Sequence, residues 1–219
     1  MGMKGLLVKD WYMTLRYGKF MLVITVIYAF VSAFSSMALS FGLINVMLGS
    51  MLVKTLMAYE EQNRWDCMAV CLPVTAKCIV AEKYVMGLIS IAFTAVLTSG
   101  VMFAASCLSG RGEGLPFGSN LLFLTAAGIL WLSLELPVLF RFGVNKGRIW
   151  FVVLVALAAG ILGGVGAGIS GMDPAQKEMA AGLVAGMGPL AAAVMFVISA
   201  GLMLISSRLS VRFYRKREF

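Results

Sequence analysis

Histidine is absent from the chain. Its absence removes the commonest general base and the commonest transition-metal ligand, and with them any Ser-His or Cys-His catalytic pair. Charge is scarce too. Only 13% of the 219 residues are Asp, Glu, Lys or Arg, about half the share in a soluble domain. No GxxxxGK[ST] run occurs, so the chain holds no nucleotide in a phosphate loop. Glu135 is the one acidic residue inside an apolar run, which leaves no embedded carboxylate pair for acid–base chemistry. The chain is not expected to be an enzyme. Of four cysteines, Cys67, Cys71 and Cys78 share one polar stretch and Cys107 ends an apolar run. No fourth ligand follows at zinc-type spacing, so neither a metal nor a cofactor is expected on this chain. A cleavable signal pattern is not expected either, because the first apolar run begins only near Phe20 with no small-residue cleavage site after it.

What is present points to a membrane. The composition is 61% hydrophobic with 24 glycines, and the mean hydropathy is +0.94. A bilayer span needs about 20 apolar residues. The runs predict an all-α integral membrane protein, one transmembrane domain over 1–219, with six spans at about 20–36, 39–58, 84–107, 118–140, 149–169 and 183–206. Short alternating segments that would suit a β-barrel do not appear. With this layout, sixteen of the eighteen Lys and Arg fall on one side, leaving Arg111 and Lys177 on the other. The positive-inside rule then places both termini in the cytoplasm of a multi-pass protein.

Residues 1–18 are amphipathic. Leu6, Leu7, Trp11 and Leu15 can share a face, with Lys4, Lys9, Asp10 and Arg16 elsewhere. An interfacial helix on the cytoplasmic leaflet is one reading; a plain extension of the first span is the other. On the outer side, 109–118 is a Gly-rich turn. In 170–188, Asp173 and Pro174 suit the start of a short extracytoplasmic helix, and Gly186 to Pro189 would break or kink the chain into the last span.

The stretch 59–84 stands out. It holds seven of the 28 charged residues and lies between two long apolar runs. Glu60, Glu61, Arg64 and Trp65 would extend the second span past the membrane, Leu72-Pro73 would break it, and Thr75 can cap a helix starting near Ala76. Such a helical turn can fill a cleft on a soluble partner; a solvated connector is the bland alternative. Two further features have two readings each. Glu135, near Pro137, either lines a substrate path or gate, or pairs structurally with Lys54, Arg141 or Lys146. Gly160, Gly164 and Gly168 form a smooth face for helix packing, within the chain or between subunits.

Three pieces resemble the small ABC-2 type transporter permeases common in Firmicutes and related bacteria. They are the opening Met3-Lys4-Gly5-Leu6-Leu7-Val8-Lys9-Asp10, the stretch with Glu61-x-Asn63-x-Trp65-Asp66, Leu72-Pro73-Val74 and Lys83-Tyr84, and the junction Pro137-Val138-Leu139-Phe140-Arg141-Phe142-Gly143 with Lys146 and Arg148. Where the family often has Ser-Arg after Leu-Pro-Val, this chain has Thr75 and Ala76, leaving Lys77 as the nearby basic residue. The resemblance implies a permease subunit of an ATP-binding cassette exporter in a bacterial cytoplasmic membrane, with an amphipathic peptide or other amphiphile as cargo. ATP and magnesium would sit on a separate cytoplasmic ATPase subunit, and a second permease chain would complete a homo- or heterodimer. No nucleic acid is implied. Residues 1–18 would be the elbow helix and 59–84 the coupling loop, with Glu61, Arg64, Trp65, Asp66, Pro73, Lys77 and Lys83 engaging the ATPase. A six-span substrate-capture subunit of a vitamin-type importer is the competing class. It would need a polar ligand pocket near the outer face, where this sequence is almost devoid of polar residues.

Overall fold

The computed structural model describes residues 3–35, 38–70, 75–109, 117–170 and 174–215, with side-chain surroundings given for most of these but not for 161–170 or 174–188. Every element among the described residues is helical: α1 (Met3–Tyr17), α2 (Lys19–Phe34), α3 (Ala38–Gln62), α4 (Trp65–Val70), α5 (Ala76–Ser109), α6 (Phe117–Ser170) and α7 (Pro174–Arg215). Among the described residues, four stretches have the length and apolar character to cross a membrane: Leu39–Gln62, Ala76–Leu108, Phe117–Val144 and Pro189–Arg215. A fifth arises if α1 and α2, which meet at 71°, are counted as one bent span. The six spans drawn from the hydropathy runs are thus four or five by this measure. Two of the expected spans account for the difference. Helix α2 has 16 residues, about 24 Å against a hydrocarbon core of about 30 Å. The stretch 149–169 belongs to the far part of α6, much of it beyond the residues whose side chains are described.

The α1–α2 bend is built on Gly18. Its N–H donates to the Thr14 carbonyl at 2.8 Å, and a Cβ there would stand 2.7 Å from that same carbonyl oxygen. The inward face of α1 differs from the one its apolar residues suggest. The buried positions are Leu6, Asp10 and Thr14, spaced four apart on one helical stripe, while Val8, Trp11, Tyr12 and Leu15 are exposed. Apolar patterning misleads here because the buried stripe carries a charge that finds its partners inside.

Helices α3, α5 and α6 enclose the core, with Val46, Val53, Val80, Ile91, Leu124 and Leu132 nearly inaccessible within it. Among the described residues, glycines of α3, α5 and α6 make close approaches. A Cβ on Gly49 would meet Thr94 at 2.6 Å, one on Gly87 would meet Leu132 at 2.6 Å, and one on Gly128 would meet Val46 at 2.5 Å. Gly160, by contrast, has open space where a Cβ would stand, and the surroundings of Gly164 and Gly168 lie outside the described residues. Helix α7 begins at Pro174 and continues through Pro189 to Arg215 as one element, so the short separate helix expected over 174–186 is absorbed into it.

Two breaks shape one end of the bundle. Helix α3 stops at Gln62, and Arg64 adopts φ 51° before α4 begins. The Asn63 side chain closes the helix by donating to the Tyr59 carbonyl at 2.8 Å. A left-handed residue just past the last turn is a common helix stop, usually glycine. The chain therefore turns at Asn63–Arg64, earlier than the Leu72-Pro73 breaker; Leu72 and Pro73 lie outside the described residues. The second break is inside α6, where Gly143 has φ 75° and ψ 171°, a conformation open essentially to glycine alone.

Candidate functional site

The connection between α3 and α5 sits above a buried charge cluster that draws on three helices. Helix α1 supplies Lys9 and Asp10, α3 supplies Glu60, and α5 supplies Glu82 and Lys83. The Lys83 ammonium is 2% exposed and lies 2.7 Å from Asp10 Oδ2 and 2.7 Å from Glu60 Oε1. Lys9 also donates to Glu60 Oε1 and stands 3.1 Å from Asp10 Oδ1. Glu82 is more weakly engaged, 3.8 Å from Lys83 and 3.9 Å from Lys9, and neither of its carboxylate oxygens receives a hydrogen bond.

The carboxylates of Asp10, Glu60 and Glu82 lie close enough together to suggest a metal site. The geometry argues against that use, because the Lys83 ammonium already stands between Asp10 and Glu60, where a cation would sit. The arrangement is a structural clamp. Lys9, Asp10, Glu60 and Lys83, drawn together out of water, are stable only as a mutually bonded set, so α1, the end of α3 and the start of α5 are held in register.

Above the clamp lies Trp65, the first residue of α4. Lys9 Nζ is 4.3 Å from the centre of its ring, a cation–π contact, and the indole packs against the core cluster. Trp65 is half-buried, with its packed side turned inward. Glu61 is also half-buried, and its Oε2 accepts a 2.7 Å hydrogen bond from the Val144 N–H. A small cleft runs between these groups, lined in part by Glu60, Glu61, Trp65, Lys83, Val144 and Tyr214.

Helix α7 reaches the same end. The Tyr84 hydroxyl lies 2.6 Å from Ser206 Oγ and 2.9 Å from Ser210 Oγ, and Ser206 donates to the Ser133 carbonyl at 2.6 Å. Phe140 of α6 meets Tyr214 of α7 edge-on at 5.9 Å. One polar and aromatic seam therefore joins α5, α6 and α7 directly beneath the α3–α5 connection.

The seven residues expected to engage a partner divide into three groups. Arg64 and Lys77 are exposed. Glu61, Trp65 and Lys83 point into the protein, Lys83 completely. Asp66 is the second residue of α4, with its side-chain surroundings outside the described residues, and Pro73 lies outside them altogether. Thr75 precedes α5, and its carbonyl accepts from the Cys78 and Ile79 N–H groups. Its hydroxyl turns to Cys78 Sγ at 3.3 Å in place of a backbone N–H. Met68, which the sequence reading passed over, is 62% exposed on α4. Lys9, Asp10 and Glu60 were also missed as a site. The one local signal is Asp10, a charged residue on the buried Leu6–Thr14 stripe of α1.

Glu135 lies deeper in α6, buried beside Pro137. Ser50 Oγ is 3.4 Å from its Oε2, and Lys54 supplies the nearest opposite charge. Arg141, another proposed partner, is exposed and stacks its guanidinium toward Phe142 and Phe213. Lys146 has its side chain outside the described residues.

The sequence profile of ABC-2 family transporter proteins matches residues 5–215, nearly the whole chain. The chain belongs to the ABC-2 transporter family. It is a multi-pass membrane protein and a transport subunit of an ABC system, and membership implies an ATPase subunit as partner. No curated protein matches the chain.

Proposed function

We propose that this ABC-2 family subunit is the permease of an ATP-driven exporter and that the α3–α5 connection is where the ATPase pushes. The observation that carries this reading is the clamp. A lever transmits force only if it is rigidly joined to what it moves, and here the connection is tied to α1, α3 and α5 by Lys83, Asp10 and Glu60. Helix α5 has 34 residues, about 51 Å, well beyond the length a bilayer needs. Its first turns therefore project toward the partner.

In this reading the connection has two layers. Arg64, Met68 and Lys77 form the outer layer that contacts the ATPase, joined by Asp66 and Pro73. Trp65, Glu61 and Lys83 form the inner layer that passes displacement to the helices. The exposed charges orient the partner and contribute little affinity each. Six spans, with α1 as the elbow helix, both termini cytoplasmic and a second permease chain complete the unit. ATP and magnesium bind on the ATPase. Its cargo is an amphipathic peptide or similar amphiphile, and Glu135 lies on or beside its route. Family membership favours this reading over a vitamin-importer capture subunit.

The test is to purify the tagged chain from native membranes and determine the mass and composition of the assembly. Two permease chains with two ATP-hydrolysing chains are expected. A complex with one permease chain would reject the dimer, and isolation with no ATPase would reject the exporter reading.

A further inference from the structure

The break in α6 creates a need that Glu61 meets. At Gly143 the backbone leaves helical geometry, so the helix resuming at Val144 starts with N–H groups that lack a carbonyl one turn back. A carboxylate is the best partner for such a group, since it accepts the hydrogen bond and complements the positive end of the helix dipole. The carboxylate present comes from no nearby residue. It is Glu61, 83 positions away, accepting from Val144 N–H at 2.7 Å.

Glu61 is the second-last residue of α3 and accepts at its backbone carbonyl from Arg64 N–H at 3.2 Å. The same residue thus closes the α3–α4 turn with its main chain and caps the second part of α6 with its side chain. We propose that Glu61 is a positioning residue that makes the α3–α4 turn and the α6 break move as one. The proposal rests on the coupling role given above to the α3–α5 connection, and adds the route: a shift of the turn drags the Glu61 carboxylate, and the helix beyond Gly143 reorients about a residue whose backbone can swing. Helix α7, packed along α6, follows.

Hydrogen exchange tests both parts. The permease–ATPase complex in nanodiscs is compared as wild type, Glu61→Ala and Glu61→Gln, each without nucleotide and with ATP, magnesium and vanadate. Removing the carboxylate should speed exchange of the Val144 amide about tenfold, the loss expected for one hydrogen bond. In wild type the nucleotide should change exchange over 144–147. In Glu61→Ala that response should vanish while the ATPase stays bound, and in Glu61→Gln, whose amide oxygen still accepts, much of it should return. A merely structural cap would alter the first measurement and leave the nucleotide response in place. Unchanged Val144 exchange in Glu61→Ala, or a persisting nucleotide response, overturns the proposal. Should Glu61→Ala not insert, Glu61→Met, which also lacks an acceptor oxygen, takes its place: faster Val144 exchange with loss of the nucleotide response supports the proposal, and unchanged exchange or a persisting response overturns it. Absence of any ATPase from the wild-type preparation would defeat the coupling reading and this route with it, whereas Val144 exchange in the permease alone would still show whether the cap exists.

Discussion

Lys83 Nζ lies 2.7 Å from Asp10 Oδ2, joining α5 to a helix 73 residues upstream in a position almost sealed from solvent. The pair, completed by Glu60, is the joint on which the transport reading turns. Its energetics are asymmetric. Removing one member strands the others, so Lys83→Met should destabilise the permease by about 3–5 kcal/mol. Thermal melting in detergent would show this, and a melting temperature equal to wild type would mean that the cluster is not a clamp.

Glu82 should behave in the opposite sense. Its oxygens receive no hydrogen bonds, its ion pairs are long, and the cluster has three carboxylates against two ammoniums. Glu82→Gln swaps this weakly held carboxyl for an amide without cutting a short contact. It should melt within about 1 kcal/mol of wild type or above it, whereas Asp10→Asn, which weakens a 2.7 Å charged bond, should fall below.

Gly143→Ala should cost about 1–3 kcal/mol, because alanine cannot adopt its φ and ψ without strain. The same change should either straighten α6 or shift its bend, which spin-label distances across the break would detect. An unchanged distance together with unchanged stability would remove Gly143 as the hinge.

Trp65→Ala removes the ring under Lys9 and its packing on the core. Because the indole faces inward, the loss should appear first in permease stability, by about 1–3 kcal/mol, and only then in ATPase retention. Met68→Asp should reverse that order, leaving melting unchanged and weakening co-purification. If Met68→Asp retained the ATPase fully, the outer layer assigned to α4 would be wrong.

Much of this was legible in the sequence, and the losses have specific causes. Hydropathy runs announce the long helices, since twenty apolar residues can do little else in water-free surroundings. The start of α5 at Ala76 and the polar character of 59–84 were readable for the same reason. The clamp was not, because Lys9, Asp10, Glu60, Glu82 and Lys83 are scattered over three segments, and charges near span ends usually face water. The resemblance places Trp65 among the residues that engage the ATPase, and nothing in its sequence neighbours reveals that Lys9 covers its ring. The turn at Arg64 was hidden because a left-handed arginine breaks the expectation that glycine or proline ends a helix. The Glu61–Val144 bond spans 83 residues and has no local signature.

Orientation is testable separately. On the proposed six-span layout, which puts sixteen of the eighteen basic residues in the cytoplasm, a cysteine replacing Arg64 should be shielded from an impermeant thiol reagent in whole cells, and one replacing Arg111 should be labelled, in a background free of native cysteines. Labelling at 64 and not at 111 would invert the topology.

The most direct measurement of the central claim is cysteine cross-linking from the α3–α5 connection to the ATPase. Single cysteines at Met68, Arg64 and Lys77, in an otherwise cysteine-free permease co-expressed with its ATPase, should each give a cross-linked permease–ATPase band with a short bifunctional reagent. A cysteine at Leu108, 88% exposed near the opposite end of α5, should give none. Should the ATPase co-purify yet none of the three positions capture it, the ATPase docks elsewhere and the connection is not the coupling element.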